Sequence, residues 1–376
     1  MVVDIYQKLS HHLDNLPGGF PPTESGVELR ILRRLFAPGE AELALHLTLI
    51  PEEPRVIARR AKLPPEEVPR RLEEMARKGL PFSIHSEGSP PEYMAAQYAI
   101  GIWEYQVNNL DPELVQDMNE YMPTLLDFDV WKKVPQIRTI PVGRSISVQS
   151  EVLPYEKAEE LVRAQERSVV APCVCRRERS MVGEGCDKQQ ETCLSFGMAA
   201  DFYQRNGLGR VIDKQEALEI LRKADEAGLV LQPGNSREAL FICCCCGCCC
   251  GVLRNIKRHP RPASIVSTPF VAAADPTTCK GCGTCTERCQ MEALWLEGNR
   301  VVLDVDRCIG CGLCVPTCPT NSLTLVRKPE SEQHKVPKDI TETLIKLGQE
   351  RGKLKTTDLI MMQVKSKLDR LLTARR

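Results

Sequence analysis

Apolar positions in the first quarter of the chain recur with the spacing of amphipathic helices. Four such patterns follow one another, at residues 26–34, 39–47, 54–61 and 65–78. Hydrophobic residues three or four positions apart give each helix one apolar stripe, which predicts a small helical bundle. A Gly79 stop signal ends the last pattern, and the apolar segment 82–84 then predicts a strand.

The rest of the chain mixes helical and extended patterns. Residues 213–228 predict a helix that Asp213 caps, with Glu216 three positions on and Gly228 at its end. Alternating or short apolar runs predict strands at 239–242, 293–296, 301–305 and 322–326. Near the C-terminus, a further helix would carry one apolar stripe formed by Ile360, Val364, Leu368 and Leu371.

The segment 24–88 resembles winged-helix domains of the MarR-like type, with 62–65 as the turn between two helices and 82–84 as the start of the wing. The resemblance implies DNA binding. However, acidic and basic residues cancel over 65–78, whereas a DNA-reading helix should present a basic face to phosphates. Pro69 also falls inside this pattern, where it would remove a helical hydrogen bond. We therefore expect a docking or structural role, with DNA binding as the alternative.

Length and composition limit the classes of protein to which this chain can belong. The chain has 376 residues, which suggests two to four domains, and its 50 basic and 50 acidic residues give no overall nucleic-acid or membrane signature. No apolar run approaches the ~20 residues of a membrane helix. The first twenty residues contain no apolar secretory core, so we expect a cytoplasmic protein. In that reducing compartment, 19 cysteines favour metal binding over disulfides.

Two cysteine runs near the C-terminus have closely similar spacing. Three residues at two-residue gaps are followed by a fourth after a three-residue gap, and the second run ends in Pro319. The runs are Cys279, Cys282, Cys285 and Cys289, and then Cys308, Cys311, Cys314 and Cys318. Zinc sites usually pair two-cysteine units across longer spacers, so the spacing favours iron–sulfur ligation over zinc, disulfides or spare core thiols. Glycines between the cysteines would let the backbone wrap closely around a cluster.

Residues 270–328 resemble a bacterial-type ferredoxin domain with two [4Fe-4S] clusters. In that family each run gives three thiolates to one cluster and the fourth to the other. The resemblance implies one cluster on Cys279, Cys282, Cys285 and Cys318, and a second on Cys308, Cys311, Cys314 and Cys289. Met291, Leu294, Val302, Ile309 and Val315 would form its apolar jacket. Gln290 departs from the pattern, because the equivalent position after Cys318 is Pro319.

The segment 89–262 holds a second cysteine system. Its first part is Cys173, Cys175, Cys186 and Cys193; its second part is the run 243–250, seven cysteines in eight residues. We expect the two parts to meet and hold at least one further iron–sulfur cluster, because soft, crowded thiols suit iron. The predicted ligands are Cys173, Cys175, Cys186 and Cys193 with some of Cys245, Cys246, Cys248 and Cys249. Two clusters, one larger cluster, or zinc with redox-reactive thiols all remain open.

Residues from about 93 to 270 resemble a Cys-rich domain that is fused to dicluster ferredoxins in anaerobic bacteria and archaea. The matching pieces are 153–156, 173–176, 191–197 and 242–250 with the following 253–254. In that family position 244 is usually Asn, which places Cys244 lower among the candidate ligands. Alternation along a strand would put Cys243 and Cys245 on one face and Cys244 and Cys246 on the other. Arg176, Arg177 and Arg179 lie beside Cys175, where positive charge would stabilise thiolates; a solvated helix face is the alternative.

These features predict an α+β multidomain protein: a winged-helix-like helical domain, a Cys-rich α/β domain, a ferredoxin-like domain and a basic helical tail at 335–376. The tail has eleven Lys and Arg against five Asp and Glu, so it would either dock an acidic partner or pack on its own protein. No dinucleotide or phosphate loop is recognisable. We expect an electron-transfer protein with a redox partner protein; an enzyme acting at the central cysteines and a redox-sensing regulator are the alternatives.

Overall fold

The structure is a computed structural model, and it describes residues 4–146 and 152–374. The α-helices of these residues are α1 (Ile5–Asp14), α2 (Val27–Leu35), α3 (Pro38–Ala44), α4 (Pro54–Ala61), α5 (Val68–Arg77), α6 (Trp103–Tyr105), α7 (Pro112–Tyr121), α8 (Phe128–Trp131), α9 (Ala158–Arg163), α10 (Val174–Met181), α11 (Gly197–Arg205), α12 (Lys214–Glu226), α13 (Gly251–Arg258), α14 (Thr284–Arg288), α15 (Ile340–Glu350) and α16 (Thr356–Ala374). The strands are β1 (Pro81–Ile84), β2 (Glu92–Ala95), β3 (Ser168–Pro172), β4 (Glu191–Phe196), β5 (Arg210–Ile212), β6 (Val230–Pro233), β7 (Phe241–Cys245), β8 (Phe270–Ala274), β9 (Leu294–Glu297), β10 (Arg300–Leu303) and β11 (Leu323–Arg327).

Helices and strands are therefore mixed along the chain, which confirms the α+β class. The chain divides into two compact units. The first comprises Met1–Leu125, Asp201–Arg210 and Leu344–Arg376, and the second comprises Leu126–Ala200 and Val211–Thr343. Within the described part of the chain, no helix combines the length and the apolar character that crossing a bilayer requires.

The first unit contains the helices that the N-terminal pattern predicted. The apolar stripe of α2 is buried at Val27, Ile31 and Leu32. After α5, strands β1 and β2 form an antiparallel hairpin in which Pro81 pairs with Ala95. Tyr93 of this hairpin also pairs with Glu52 through two backbone hydrogen bonds of 3.0 and 2.8 Å. The hairpin occupies the chain position at which a wing was expected.

The expectation for Pro69 was wrong. Helix α5 begins at Val68, so Pro69 lies in its first turn and not in its interior. Backbone N–H groups of a first turn have no partner within the helix, and proline is well tolerated there. Pro69 therefore helps to start the helix without breaking its hydrogen-bond ladder.

The apolar stripe near the C-terminus lies on α16 but is not covered within its unit. Ile360, Val364, Leu368 and Leu371 are each more than half exposed. The helix makes polar contacts within the unit, since Arg60 reaches Asp369 at 3.4 Å and Arg370 donates to the Pro51 carbonyl. The sequence left two possibilities for the tail, docking an acidic partner or packing on its own protein. In the described part of the chain, these four side chains do not pack on the rest of the protein.

A five-stranded sheet forms the centre of the second unit, in the strand order β5-β3-β4-β7-β6. The pairs β3–β4, β4–β7 and β6–β7 are antiparallel. Helix α12 packs against it and starts as predicted, because Asp213 Oδ1 accepts the Glu216 N–H at 2.7 Å. Strand β7 starts two residues later than predicted and extends into the cysteine run as far as Cys245.

Two small antiparallel sheets, β8–β11 and β9–β10, flank the C-terminal cysteine runs along the chain: the first run lies between β8 and β9, and the second between β10 and β11. The last three predicted strands correspond to β9, β10 and β11. Met291, Leu294 and Ile309 are buried as expected of the jacket. Val301 is buried in the core there and Val302 is only partly buried, so the expected phase of β10 was wrong by one residue.

Candidate metal centres

The eight cysteines of the C-terminal runs line two separate cavities. One cavity is lined by Cys308, Cys311, Cys314 and the last cysteine of the first run, Cys289. The other is lined by Cys279, Cys282, Cys285 and the last cysteine of the second run, Cys318. Each cavity thus takes three thiols from one run and the fourth from the other.

Backbone N–H groups point at the thiols in matching positions of the two runs. Cys289 accepts the N–H of Ala293 at 3.2 Å, and Cys318 accepts the N–H of Ser322 at 3.1 Å, four residues on in each case. Cys308 accepts a third such bond, from Ala272 at 3.4 Å. Hydrogen bonds of this kind stabilise thiolate charge and tune the potential of a bound cluster.

Two glycines show why the loops need residues without a side chain. Gly310 has φ of +63°, and a Cβ atom there would overlap the Phe270 carbonyl oxygen of β8. Gly281 occupies the equivalent place in the first run, with φ of +70° and the Asn299 carbonyl oxygen 2.8 Å from a Cβ position. The left-handed conformation and the close backbone approach both favour glycine.

The two cavities differ in exposure. Cys282 is exposed in the first set, and its pKa is lowered by hydrogen bonding to the Thr284 backbone and hydroxyl groups. Cys308 and Cys314 of the second set are buried. Burial raises the pKa of Cys311 to about 12 and also raises the pKa of Cys314. The first set is therefore the one that faces solvent.

Strand pairing brings the two parts of the central cysteine system together. Cys193 on β4 lies directly opposite Cys243 on β7. Cys245 falls two residues further along the same strand, so it shares a face with Cys243 as the alternation predicted. Cys244 is buried, and burial raises the pKa of its thiol. Its backbone carbonyl accepts the Arg176 guanidinium at 2.6 Å.

The central thiols separate into two groups. The first, called the tetrathiolate group below, brings together Cys186, Cys246, Cys248 and Cys249, whose sulfur atoms all lie within 4.8 Å of one another. Three of the Sγ–Sγ separations are 3.8, 3.7 and 3.6 Å. A single tetrahedral metal ion with bonds of about 2.3 Å puts its sulfur ligands about 3.8 Å apart. These separations fit one thiolate-bound ion, and thiolates suit iron or zinc.

The second, called the six-thiol group below, contains the remaining predicted candidates and two cysteines that the sequence did not select. Its members are Cys173, Cys175, Cys193, Cys243, Cys245 and Cys250. Hydrogen bonding to Cys193 and Cys245 lowers the pKa of the Cys243 thiol. Hydrogen bonding to Cys173 and Cys250 raises the pKa of the Cys175 thiol, and Cys250 also contacts Cys245. These contacts link all six sulfur atoms in one series.

Cys243 and Cys250 were missed for different reasons. The predicted strand phase already placed Cys243 on the same face as Cys245, so alternation could have identified it. Cys250 follows the turn at Gly247 and forms the N-cap of α13. Residue spacing does not indicate where the chain points after such a turn, and this member therefore required the tertiary structure.

Arg176 is fully buried and interacts with sulfur atoms of both groups. Its Nη1 donates to the Gln189 carbonyl at 3.0 Å and its Nη2 to the Cys244 carbonyl at 2.6 Å. Burial opposes its charge, but the sulfur atoms of Cys173, Cys246 and Cys245 raise its pKa above the ordinary value. A buried guanidinium at this place offsets the negative charge of thiolates.

The cysteine run contacts the first ferredoxin-like run directly. The backbone N–H of Gly247 donates to Gln290 Oε1 at 2.7 Å. A Cβ atom on Gly247 would overlap the Gln290 carbonyl oxygen, so only glycine fits without a shift. Gly247 stands between Cys246 and Cys248, and Gln290 follows Cys289. The tetrathiolate group and the more buried ferredoxin-like cavity are therefore neighbours.

The comparisons with known proteins agree with this chemistry over a short part of the chain. The family model of the 4Fe-4S binding domain, Fer4, matches residues 301–324, which include Cys308, Cys311, Cys314 and Cys318. The first run lies outside the matched segment. No curated protein matches the chain, and no solved structure matches it either. The matched domain and the grouped central thiols identify iron–sulfur electron-transfer chemistry as what this chain supports.

Proposed function

We propose that this protein transfers single electrons through two [4Fe-4S] clusters in its ferredoxin-like part and a further iron centre in its central part. The first cluster would be held by Cys279, Cys282, Cys285 and Cys318, and the second by Cys308, Cys311, Cys314 and Cys289. The observation that carries the proposal is the division of these eight thiols between two cavities. Two clusters ligated crosswise need that division.

The difference in exposure supports an order for the three centres. Cys282 is the exposed thiol of the first set, and a redox partner protein would exchange electrons there. The cavity of Cys308 is more buried and adjoins the central cysteines through Gln290 and Gly247. Iron–sulfur clusters supply one-electron chemistry, in which a donor iron is oxidised from ferrous to ferric as an acceptor iron is reduced.

For the third centre we propose a single iron ion on Cys186, Cys246, Cys248 and Cys249. The sulfur separations support one ion, since a cubane would interpose its irons and sulfides and spread its ligands further. Zinc would suit the same four thiolates but could not accept an electron. Metal analysis therefore separates a relay centre from a structural ion.

DNA binding receives no support from the charges of α5. Arg70 pairs with Glu74 at 2.7 Å, and Arg77 pairs with Glu73 at 3.5 Å. Arg71 donates to the Gly39 carbonyl at 2.7 Å. These three side chains are engaged within the protein, whereas a recognition helix would present them to phosphates. We propose a docking or structural role for the winged-helix-like segment.

The proposal is tested on the full chain purified without oxygen. Reductive titration followed by EPR should show two [4Fe-4S] signals from the ferredoxin-like part that broaden each other when both clusters are reduced, because the two cavities lie in one small domain. A protein that shows one such signal, or none, after reconstitution with iron and sulfide would contradict the proposal. Iron and zinc counts on the same sample report the ion of the tetrathiolate group.

A further inference from the structure

We propose that the six-thiol group is a separate site for a polynuclear iron–sulfur cluster, distinct from the tetrathiolate group. The role of this cluster in electron transfer rests on the proposed function, whereas the site is inferred from the arrangement of the six thiols. The thiols come from four places: the end of β3 and the start of α10, strand β4, strand β7, and the start of α13. They meet above one face of the central sheet.

Strand register fixes three of the six thiols. Cys193 and Cys243 face each other across β4 and β7, and Cys245 follows on the same face. The neighbouring strand β6 places Gln232 beside Cys243, and Gln232 Oε1 accepts from the Cys250 thiol at 3.9 Å. Because side chains alternate along a strand, Cys246 points away from this face. It belongs to the tetrathiolate group instead. Adjacent residues of the run therefore serve different sites.

Two helices direct their N-termini at the six-thiol group. Cys173 is the N-cap of α10, and Cys250 is the N-cap of α13; each helix has eight residues. The N-terminal end of a helix carries partial positive charge and unpaired N–H groups, which favour thiolates and other anions. Cysteine at both caps places the sulfur atoms where that charge acts most strongly.

A buried unpartnered donor supplies an independent observation. Arg176 follows Cys175 and is fully buried, and its Nε–H has no hydrogen-bond partner among the described residues. Such an orphaned charged donor costs free energy unless an acceptor reaches it. The Arg176 guanidinium interacts with the sulfur atoms of Cys173 and Cys245 in this group and of Cys246 in the tetrathiolate group. Its unpartnered donor therefore supports an anionic site beside these thiols, where thiolate or inorganic sulfide can accept the bond.

The spread of the sulfur atoms argues against one metal ion. In the part of the chain that the structure describes, the tetrathiolate group is the only set of candidate ligands that closes to within 4.8 Å throughout. The six thiols instead contact one another in series, from Cys193 through Cys243, Cys245, Cys250 and Cys175 to Cys173. A cluster of several irons spans such a series, whereas one tetrahedral ion needs its sulfur ligands to lie about 3.8 Å from one another.

Acid-labile sulfide separates this proposal from the other centres, because a single thiolate-bound ion brings no sulfide. On the full chain, reconstituted anaerobically with iron and sulfide, we expect about twelve sulfides: about eight from the ferredoxin-like clusters and about four from the six-thiol group. A count of about eight sulfides in the wild-type chain would overturn the proposal. The same count would still agree with two ferredoxin-like clusters. This count requires no variant to fold.

A pair of matched variants then locates the additional sulfide. The triple variant Cys193→Ser, Cys243→Ser and Cys250→Ser leaves three thiols in the group, fewer than the four of a [4Fe-4S] cluster. It should lose about four sulfides and keep both ferredoxin-like EPR signals. The control Cys244→Ser makes the same change in the same run at a residue outside both groups, and it should retain the wild-type count. A triple variant that also retains the wild-type count would overturn the proposal. Loss of the ferredoxin-like signals in the wild-type chain would instead contradict the proposed function.

Discussion

Gln290 accepts a hydrogen bond of 2.7 Å from the backbone of Gly247, and this bond joins the ferredoxin-like part to the central cysteine run. In sequence, Gln290 is a departure from the pattern, since the second run has Pro319 at the equivalent place. Proline could not offer a side-chain acceptor to Gly247. The departure thus coincides with the point at which two candidate redox centres meet.

The first prediction concerns this bond. Replacing Gln290 with Ala leaves the Gly247 N–H without its acceptor, at a cost of about 1 kcal/mol, and loosens the contact between the two loops. Electron transfer from the reduced ferredoxin-like clusters to the central iron should slow several-fold, with iron and sulfide contents unchanged. Stopped-flow spectroscopy on the reduced protein measures the rate.

Gln290→Glu is the control for this variant, because it keeps an acceptor oxygen at the same reach. It should transfer electrons at a rate closer to that of the wild type than Gln290→Ala does. Equal rates in all three proteins would show that the contact has no part in the transfer.

The second prediction concerns backbone space at the more buried cavity. Gly310→Ala adds a Cβ atom that overlaps the Phe270 carbonyl at a residue with φ of +63°. We expect loss of the cluster that Cys308, Cys311 and Cys314 would hold, seen as a loss of about four irons.

Gly298→Ala is the matched control for this glycine. Gly298 has φ of +58° in the same domain, but nothing lies within 4 Å of an added Cβ atom. The control should therefore lose only about 1 kcal/mol of unfolding free energy, from its left-handed conformation, and keep full iron content. Similar iron loss in both variants would point to conformational strain rather than to the overlap with Phe270.

The third prediction concerns the buried charge at the central thiols. Arg176→Met removes the cation that contacts both groups and leaves their thiolates without compensation. Most of the central metal should be lost, while the ferredoxin-like signals stay. Arg176→Lys keeps the charge and should retain more metal than the methionine variant. Unchanged central metal in Arg176→Met would show that helix N-termini alone offset the thiolate charge.

Local patterns predicted the elements well, because capping and periodicity act over a few residues. Asp213 caps α12 as expected, and its C-terminal Gly228 has φ of +71°. Val301 and Val302 show where local patterns fail. A shift of one residue along the strand decides which of these two side chains is buried. Pro69 shows a second limit: the start of α5 depended on a boundary that the pattern placed three residues too early.

The candidate sites show the same difference between local and long-range structure. Family spacing implied which eight cysteines would line the two ferredoxin-like cavities, because those ligands follow from local loops repeated twice. The central cysteines could be named as candidates but not sorted, since Cys186 and Cys249 meet across 63 positions of chain. Their sorting depends on the register of β4 and β7 and on the turn at Gly247, and neither can be counted from the sequence.

The most direct test of the account is whether the ferredoxin-like clusters are ligated crosswise. Two double variants contain Cys318→Ala, combined with either Cys279→Ala or Cys308→Ala. If Cys279 and Cys318 serve one cluster, the first variant loses about four sulfides and keeps the second [4Fe-4S] signal, whereas the second variant loses about eight and both signals. The reverse result, with both clusters lost only when Cys279 and Cys318 are removed together, would contradict the account.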